Sequence, residues 1–278
     1  MGPHTSGCSD GHYMIVIDDP DDGRIAQFRM RERGINTRAD RREQTGAGLF
    51  VAEGDLVVAR ALDAGYEAVM AFFDVAAPPP VIHRFGPDVE QYAGTEDVRR
   101  AGMGLGVPLS IVALFRRPPP LDPNALAGGH RIVALEAVDN PVNIGTVVRS
   151  ASALGWNGLL LDRTSADPLA RRALRVSMGT SFVLPFARSE SLVDTVRAAR
   201  NNGTLVVALA LADDAIPLNC VLPAAHQPVM LLLGAERTGL SDELLDAASL
   251  RATISMAPGV DSLNAAAAAA VACYALRR

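Results

Sequence analysis

Three stretches in the second half of the chain place polar, reactive side-chain types directly after apolar runs. The first, Asp139–Ser150, contains Asn143 and, six residues later, Arg149. An amide and a guanidinium beside one loop can grip a phosphate and orient a ribose hydroxyl, because an arginine fork matches phosphate geometry bidentately. Asn143 is also a good helix cap, and an exposed arginine needs no special role. The second stretch runs Leu231–Ser241. Its apolar run ends in Leu233-Gly234-Ala235-Glu236, which turns backbone N–H groups outward, and Gly239 permits a further tight turn. Glycines there can be plain punctuation, but a carboxylate such as Glu236 at the mouth of a strand among apolar residues is harder to dismiss. The third, Ile254–Asn264, leaves a strand through Pro258-Gly259 and enters an alanine-rich helix after Asp261 and Ser262. Those two read as caps; Asn264, inside the expected first turn, does not.

The elements that must position these loops follow from periodicity. Beyond residue 130, apolar strands alternate with helical patterns. Strands are expected at Arg131–Val138, Gly158–Leu161, Phe182–Phe186, Thr204–Leu211, Val229–Leu233 and Ala252–Met256. Helices are expected at Asn143–Leu154, Leu192–Arg200, Ser241–Ala248 and Ser262–Leu276. Such alternation specifies an α/β fold with a mostly parallel sheet, whose ligands bind outside the carboxyl ends of its strands. Upstream, Leu49–Gly54 reads as a strand, Asp55–Ala64 as a helix, Val69–Phe73, Val81–Phe85 and Leu109–Phe115 as further strands, and Gln91–Arg100 as polar and helical. Helical character is expected from Gly23 to Arg42, and residues up to about Pro20 read as a loosely attached leader. Pro118-Pro119-Pro120 and Pro123 block helix and central strand alike, so 118–129 is the expected linker.

Length and composition bound the rest. The 278 residues suffice for two modest domains, and 49% hydrophobic with 21% charged residues is the balance of a soluble globular chain. No apolar run is long enough to span a bilayer, and the expected location is cytoplasmic. Cys8, Cys220 and Cys273 are odd in number, widely spaced and without metal-ligand spacing, which fits reduced thiols. His4, Cys8 and His12 sit in a Gly/Ser/Pro-rich run that reads as a leader, and no metal is expected. A formal net charge of −5 argues against a surface that is wholly a nucleic-acid clamp. The basic side is nevertheless all arginine, and clustered. Arg29, Arg31, Arg38, Arg41 and Arg42, with Arg171 and Arg172, are candidate phosphate contacts, the alternative being solvated helix faces.

Each loop alone is a weak signal; their ordered set is not. Asn-Pro-x-Asn-Ile-Gly-x-x-x-Arg-Ser-Ala from Asn140, Leu-Gly-x-Glu-x-x-Gly-Leu from Leu233, and Ser262-Leu263-Asn264 before the alanine-rich helix resemble the three motifs of the SpoU (TrmH-like) RNA 2′-O-ribose methyltransferases of the SPOUT superfamily. Arg175–Thr180 with Leu184-Pro185 resembles that family's intervening segment. The match covers roughly 131–278; Phe50–Gly54 and the following helix are similar to a ribosomal-protein-like RNA-binding domain found upstream in the family. The expected organisation is a leader (1–22), a domain (23–117) that the resemblance makes RNA substrate-binding, and a domain (130–278) that it makes catalytic, with a deep trefoil knot in its parallel sheet. It implies S-adenosylmethionine as cofactor, held by Leu233, Gly234, Ala235, Glu236, Ile254, Met256, Ser262 and Leu263. It further implies an active site of Asn143, Arg149, Glu236, Ser262 and Asn264, a homodimer, and methylation of ribosomal RNA in preference to transfer RNA. Ser255 departs from the family's usual proline, and alanines follow Asn264 where small or β-branched residues are common. The rival readings are a catalytically silent RNA-binding protein and a nucleotide-binding enzyme, for which Gly102–Gly106 lacks the required glycine spacing.

Overall fold

In this computed structural model, residues 14–29, 48–103, 109–259 and 262–277 are described. They divide into two units: one holds the described residues up to Pro119 together with Leu169–Phe182, the other Pro120–Pro168 and Val183 onward.

The second unit is built on a seven-stranded sheet, every neighbouring pair of which is parallel. Its strands are β6 (Arg131–Leu135), β7 (Gly158–Leu161), β8 (Phe186–Arg188), β9 (Leu205–Leu209), β10 (Ile216–Pro217), β11 (Val229–Leu233) and β12 (Leu250–Thr253), in the order β10-β12-β9-β11-β6-β7-β8. Val229-Met-Leu-Leu-Leu and Arg131-Ile-Val-Ala-Leu are continuous apolar runs because a central parallel strand is covered on both faces. Ile132, Ala134, Met230 and Leu232 join one core cluster with Leu192 and Val196 of helix α7 (Leu192–Asn201) and Leu244 of α8 (Asp242–Ala247). The intervening Val133, Leu135, Leu231 and Leu233 are buried as well. The final helix, α9 (Ala265–Ala275), packs on β11 and on α5 (Pro141–Ala153). Its buried Ala266, Ala269, Ala272 and Cys273 recur at helical spacing, and small side chains let the helices approach closely. Burial pushes the Cys273 thiol up to about 12. The expected linker contains a short helix, α4 (Pro123–Ala127), started by Pro123 at its first position and capped by Asp122.

The first unit carries a five-stranded mixed sheet of order β1-β4-β3-β5-β2, formed by β1 (Met14–Val16), β2 (Leu49–Glu53), β3 (Ala68–Asp74), β4 (Glu90–Gly94) and β5 (Ile111–Arg116). Helices α1 (Ala26–Arg29), α2 (Asp55–Asp63) and α3 (Glu96–Met103) accompany it. Several expectations are corrected here. The chain before Pro20 is not all loose: β1 pairs in parallel with β4, and Ile17 is buried. Val81–Phe85 is not a strand but a 3-10 turn started by Pro80. The strand lies instead at Glu90–Gly94, where buried Gln91 concealed the alternation; only the part from Glu96 on is helical. Phe182–Phe186 splits into a 3-10 turn, Thr180–Phe182, and β8.

Residues 169–182, expected within the catalytic domain, belong to the first unit. Phe182 packs there on Phe50 and Tyr66, with ring centroids 5.7 and 5.0 Å apart. The same segment contains α6 (Arg171–Ser177), whose Arg171 forms an ion pair with the buried Glu53. At its end, Arg60 donates to the Met178 carbonyl at 2.6 Å. Among the described residues no helix is long and apolar enough to cross a membrane.

Candidate active site

In the second unit, strands β9, β11 and β12 end together, and the loops leaving them enclose a cleft of about 400 Å³. All eight side chains and turns expected to hold a cofactor line it: Leu233, Gly234, Ala235, Glu236, Ile254, Met256, Ser262 and Leu263. The sequence reading missed Leu209, Ala210 and Leu211, which line it too. They stand at a third strand end, where the three lining residues are all apolar and carry no motif to draw notice.

Gly234 is the tightest point of the cleft wall. A Cβ there would lie 2.1 Å from the carbonyl carbon and oxygen of Gly239 and 2.4 Å from the Leu240 nitrogen. The loop therefore doubles back on its own start, closed by Gly239 N–H donating to the Ala235 carbonyl at 2.9 Å. Only glycine fits, and its bare backbone becomes part of the wall.

Three of the five expected catalytic residues meet at the rim. Glu236 Oε1 accepts from Asn143 Nδ2 at 3.0 Å, from Asn264 Nδ2 at 2.5 Å and from the Ala265 N–H at 3.4 Å. Asn264 Nδ2 also donates to Asn143 Oδ1 at 3.2 Å. The capping expectations reverse. Asn140, not Asn143, caps α5, accepting from Val142 N–H at 3.0 Å with Pro141 in the first helical position. Asn143 is left buried and free of backbone duty, its amide turned to Glu236. Asn264 is the cap of α9, accepting from the N–H groups of Ala266 and Ala267 at 3.0 and 3.2 Å. One amide thus starts a helix with its oxygen and reaches Glu236 with its nitrogen. Ser262 is exposed on the cleft, and Asp261 lies outside the described residues. Arg149 is exposed on α5, carried about 9 Å along the axis and about 120° around it from Asn143.

The approach to α5 is held under backbone strain. Ala137 adopts φ 55°, a left-handed conformation unusual for alanine. Asp162 Oδ1 accepts from the Ala137 N–H at 3.1 Å and the Ser165 N–H at 2.8 Å, and Ser165 Oγ accepts from the Val138 N–H at 3.1 Å. Burial pushes the Asp162 carboxyl up, but hydrogen bonds from Ser165 and Thr164 outweigh it and hold it below the usual carboxylate range.

The candidate RNA contacts separate. Arg171 is paired with Glu53, since a buried carboxylate needs a partner, whereas Arg172 is exposed on the same helix. Arg29 ends α1, with no side chain described; Arg31, Arg38, Arg41 and Arg42, like His4, Cys8 and His12, lie outside the described residues.

A parallel sheet with one glycine-walled cleft at its strand ends and an amide–carboxylate cluster on the rim defines an α/β enzyme of the small-ligand-binding kind. The chain belongs to the SpoU rRNA methylase family, whose model matches residues 130–274. It is 33% identical over 270 residues to an uncharacterized tRNA/rRNA methyltransferase of Mycobacterium bovis, spanning 95% of this chain and 92% of that one. It is 30% identical to the 23S rRNA (uridine(2479)-2′-O)-methyltransferase of Streptomyces viridochromogenes, covering 84% of each chain. The solved structure of an AdoMet-bound rRNA methyltransferase from Sinorhizobium meliloti superposes with a TM-score of 0.80 at 26% identity, over 95% of this chain and 97% of that one.

Proposed function

We propose that this protein transfers the methyl group of S-adenosylmethionine to a ribose 2′-hydroxyl of structured RNA, 23S ribosomal RNA rather than transfer RNA. The observation that carries the reading is the hydrogen-bonded set Asn143–Glu236–Asn264 on the rim of the cleft. The cleft suits the cofactor: its volume of about 400 Å³ lies in the ordinary range for small-molecule sites, and at Gly234 the loop's returning backbone leaves room for main chain only. When bound, S-adenosylmethionine supplies an electrophilic sulfonium methyl.

The chain's own residues then have distinct tasks. Leu233, Ile254, Met256 and Leu263 provide apolar walls, and the turns at Gly234–Glu236 and Ser262 the polar contacts. Glu236 orients the amides of Asn143 and Asn264 toward the methyl acceptor. Arg149 anchors a neighbouring phosphate and stabilises negative charge on the attacking oxygen. A guanidinium, ionised at all working pH values, does not accept the hydroxyl proton, which passes to solvent water as S-adenosylhomocysteine leaves, so in-line positioning supplies much of the rate. The first unit acts as the ribosomal-protein-like RNA-binding domain, with Arg172 among its contacts. The second is threaded as a trefoil knot, and two copies pair as a homodimer; exposed Val271 and Tyr274 on α9 are apolar side chains that a second copy would cover.

The test is to map 2′-O-methylation in total RNA with and without the gene, and to restore the lost site with purified protein and labelled S-adenosylmethionine. Label on a base, or an unchanged ribose map, overturns the proposal. Absence of cofactor binding would instead make this a silent RNA-binding member of the fold.

A further inference from the structure

Glu136 lies one residue beyond β6, outside every motif discussed above. Its backbone N–H donates to the Leu233 carbonyl at 2.9 Å, at the start of the cleft loop. Its carboxylate accepts from the other end of that loop, from the Ser241 N–H at 2.7 Å and from Ser241 Oγ at 2.8 Å. One residue therefore holds both ends of the segment that contains Gly234 and Glu236. Ser241 is also the cap of α8, its Oγ accepting from the Leu244 N–H at 3.4 Å, so the tether reaches the helix that follows. From Glu236 to Gly239 the loop is exposed and not held by packing. Its shape rests on the Ala235–Gly239 turn, on the hydrogen bonds Glu236 accepts from Asn143, Asn264 and Ala265, on buried Leu240 at the loop's end, and on this clasp.

We infer that Glu136 is a positioning residue that keeps the cleft loop closed by gripping Ser241, and so sets the affinity for the cofactor without touching it. The inference rests on the proposed use of the cleft for S-adenosylmethionine. Loss of the carboxylate frees one end of the loop and lowers the fraction of molecules in the competent form. Apparent affinity falls by that fraction, while the saturated enzyme, closed by its ligand, turns over normally.

The experiment compares wild type with Glu136→Gln, Glu136→Ala, Ser241→Ala and Ser241→Thr as full chains. Hydrogen bonds to a charged group are worth enough that Glu136→Ala should raise the KM for S-adenosylmethionine about tenfold or more, with kcat within about twofold. Glu136→Gln, which keeps one acceptor, should lie between. Ser241→Thr, which keeps hydroxyl and cap, should return to within about threefold of wild type, and Glu136→Ala/Ser241→Ala should lose less than the two single losses combined, because the Ser241 Oγ contact is common to both. A fall in kcat with KM unchanged, additive losses, or cofactor binding by Glu136→Ala within about twofold of wild type would each overturn the clasp. Amide hydrogen exchange without ligand reads it independently of function. Glu136→Ala should speed exchange at Arg237–Leu240 about tenfold, and unchanged rates there refute it. If wild type binds no cofactor yet exchange responds in this way, the functional reading fails and the clasp stands.

Discussion

Replacing Gly234 with alanine tests the cleft at its most constrained point. The added Cβ would stand 2.1 Å from the Gly239 carbonyl carbon and oxygen and 2.4 Å from the Leu240 nitrogen, where ordinary van der Waals contact begins at 3.4 Å. All three atoms are backbone, so no rotamer change relieves the overlap; the returning arm of the loop must withdraw by more than an ångström. Forced overpacking of this kind costs about 1–3 kcal/mol. If the variant relaxes by opening, recovering the closed loop around the cofactor costs the same amount, and Kd rises roughly 5- to 150-fold. Gly239→Ala is the matched control. Its Cβ meets nothing within 4 Å, and only its φ of 68° is unfavourable to alanine. That costs about 1 kcal/mol, or about fivefold in affinity. Calorimetry with S-adenosylmethionine and with S-adenosylhomocysteine measures both, and far-ultraviolet circular dichroism checks that each variant is folded. The reasoning fails if Gly234→Ala binds within twofold of wild type, or if Gly239→Ala is the more damaging of the two.

Removing Glu236 as alanine strands two amides that now share one carboxylate oxygen, so turnover should fall by about ten- to a hundredfold. Glu236→Gln retains a carbonyl acceptor and should recover much of that in single-turnover assays; equal losses would show that the amides are not what Glu236 serves. Arg149→Ala should lower methyl transfer about a hundredfold or more through the loss of charge stabilisation. The wild-type pH–rate profile should show no rise through a pKa near neutrality, and such a rise would point to a separate base. Asp162 has a depressed folded pKa, so its stabilisation is complete above the unfolded value and is lost as pH falls through the folded one. Asp162→Asn should therefore be less stable than wild type by about 1 kcal/mol at pH 7, a figure discounted for partial exposure, with the gap closing in urea melts below about pH 4. A gap that widens in acid would refute that account.

The second unit was legible where continuous apolar runs end in polar loops, because a buried parallel strand has no alternation to confuse and its ligand site must follow its carboxyl end. Val229–Leu233 is placed to the residue. Local chemistry was less decisive wherever two residues competed for one task. Asn140 and Asn143 are both plausible caps, and proline at the first helical position settles the matter for Asn140. Asp261, Ser262 and Asn264 compete in the same way, and Asn264 is the cap. The first unit was harder to read. Its strand β4 lies between β1 and β3, so Gln91 is buried and the expected alternation is masked. A polar residue in an interior strand reads as a surface one until its neighbours are known.

What remained hidden has a common cause. Phe182 on Phe50 and Arg171 on Glu53 bring together residues more than a hundred positions apart, and neither member of a pair has a pattern that names the other. Glu136 is the sharper case. It falls inside the segment 131–138 expected to be strand, where a lone carboxylate reads as the solvent-facing end of an apolar run. Its meaning arises only when β6 and β11 pair in register, Leu135 against Leu233, so that the next residue on one strand stands at the mouth of the loop leaving the other. Register, which long-range pairing sets, turns an ordinary glutamate into the group that spans the loop. The motif residues can be read in sequence because each acts within its own loop; the residues that hold those loops together act across strands and become visible only in the sheet.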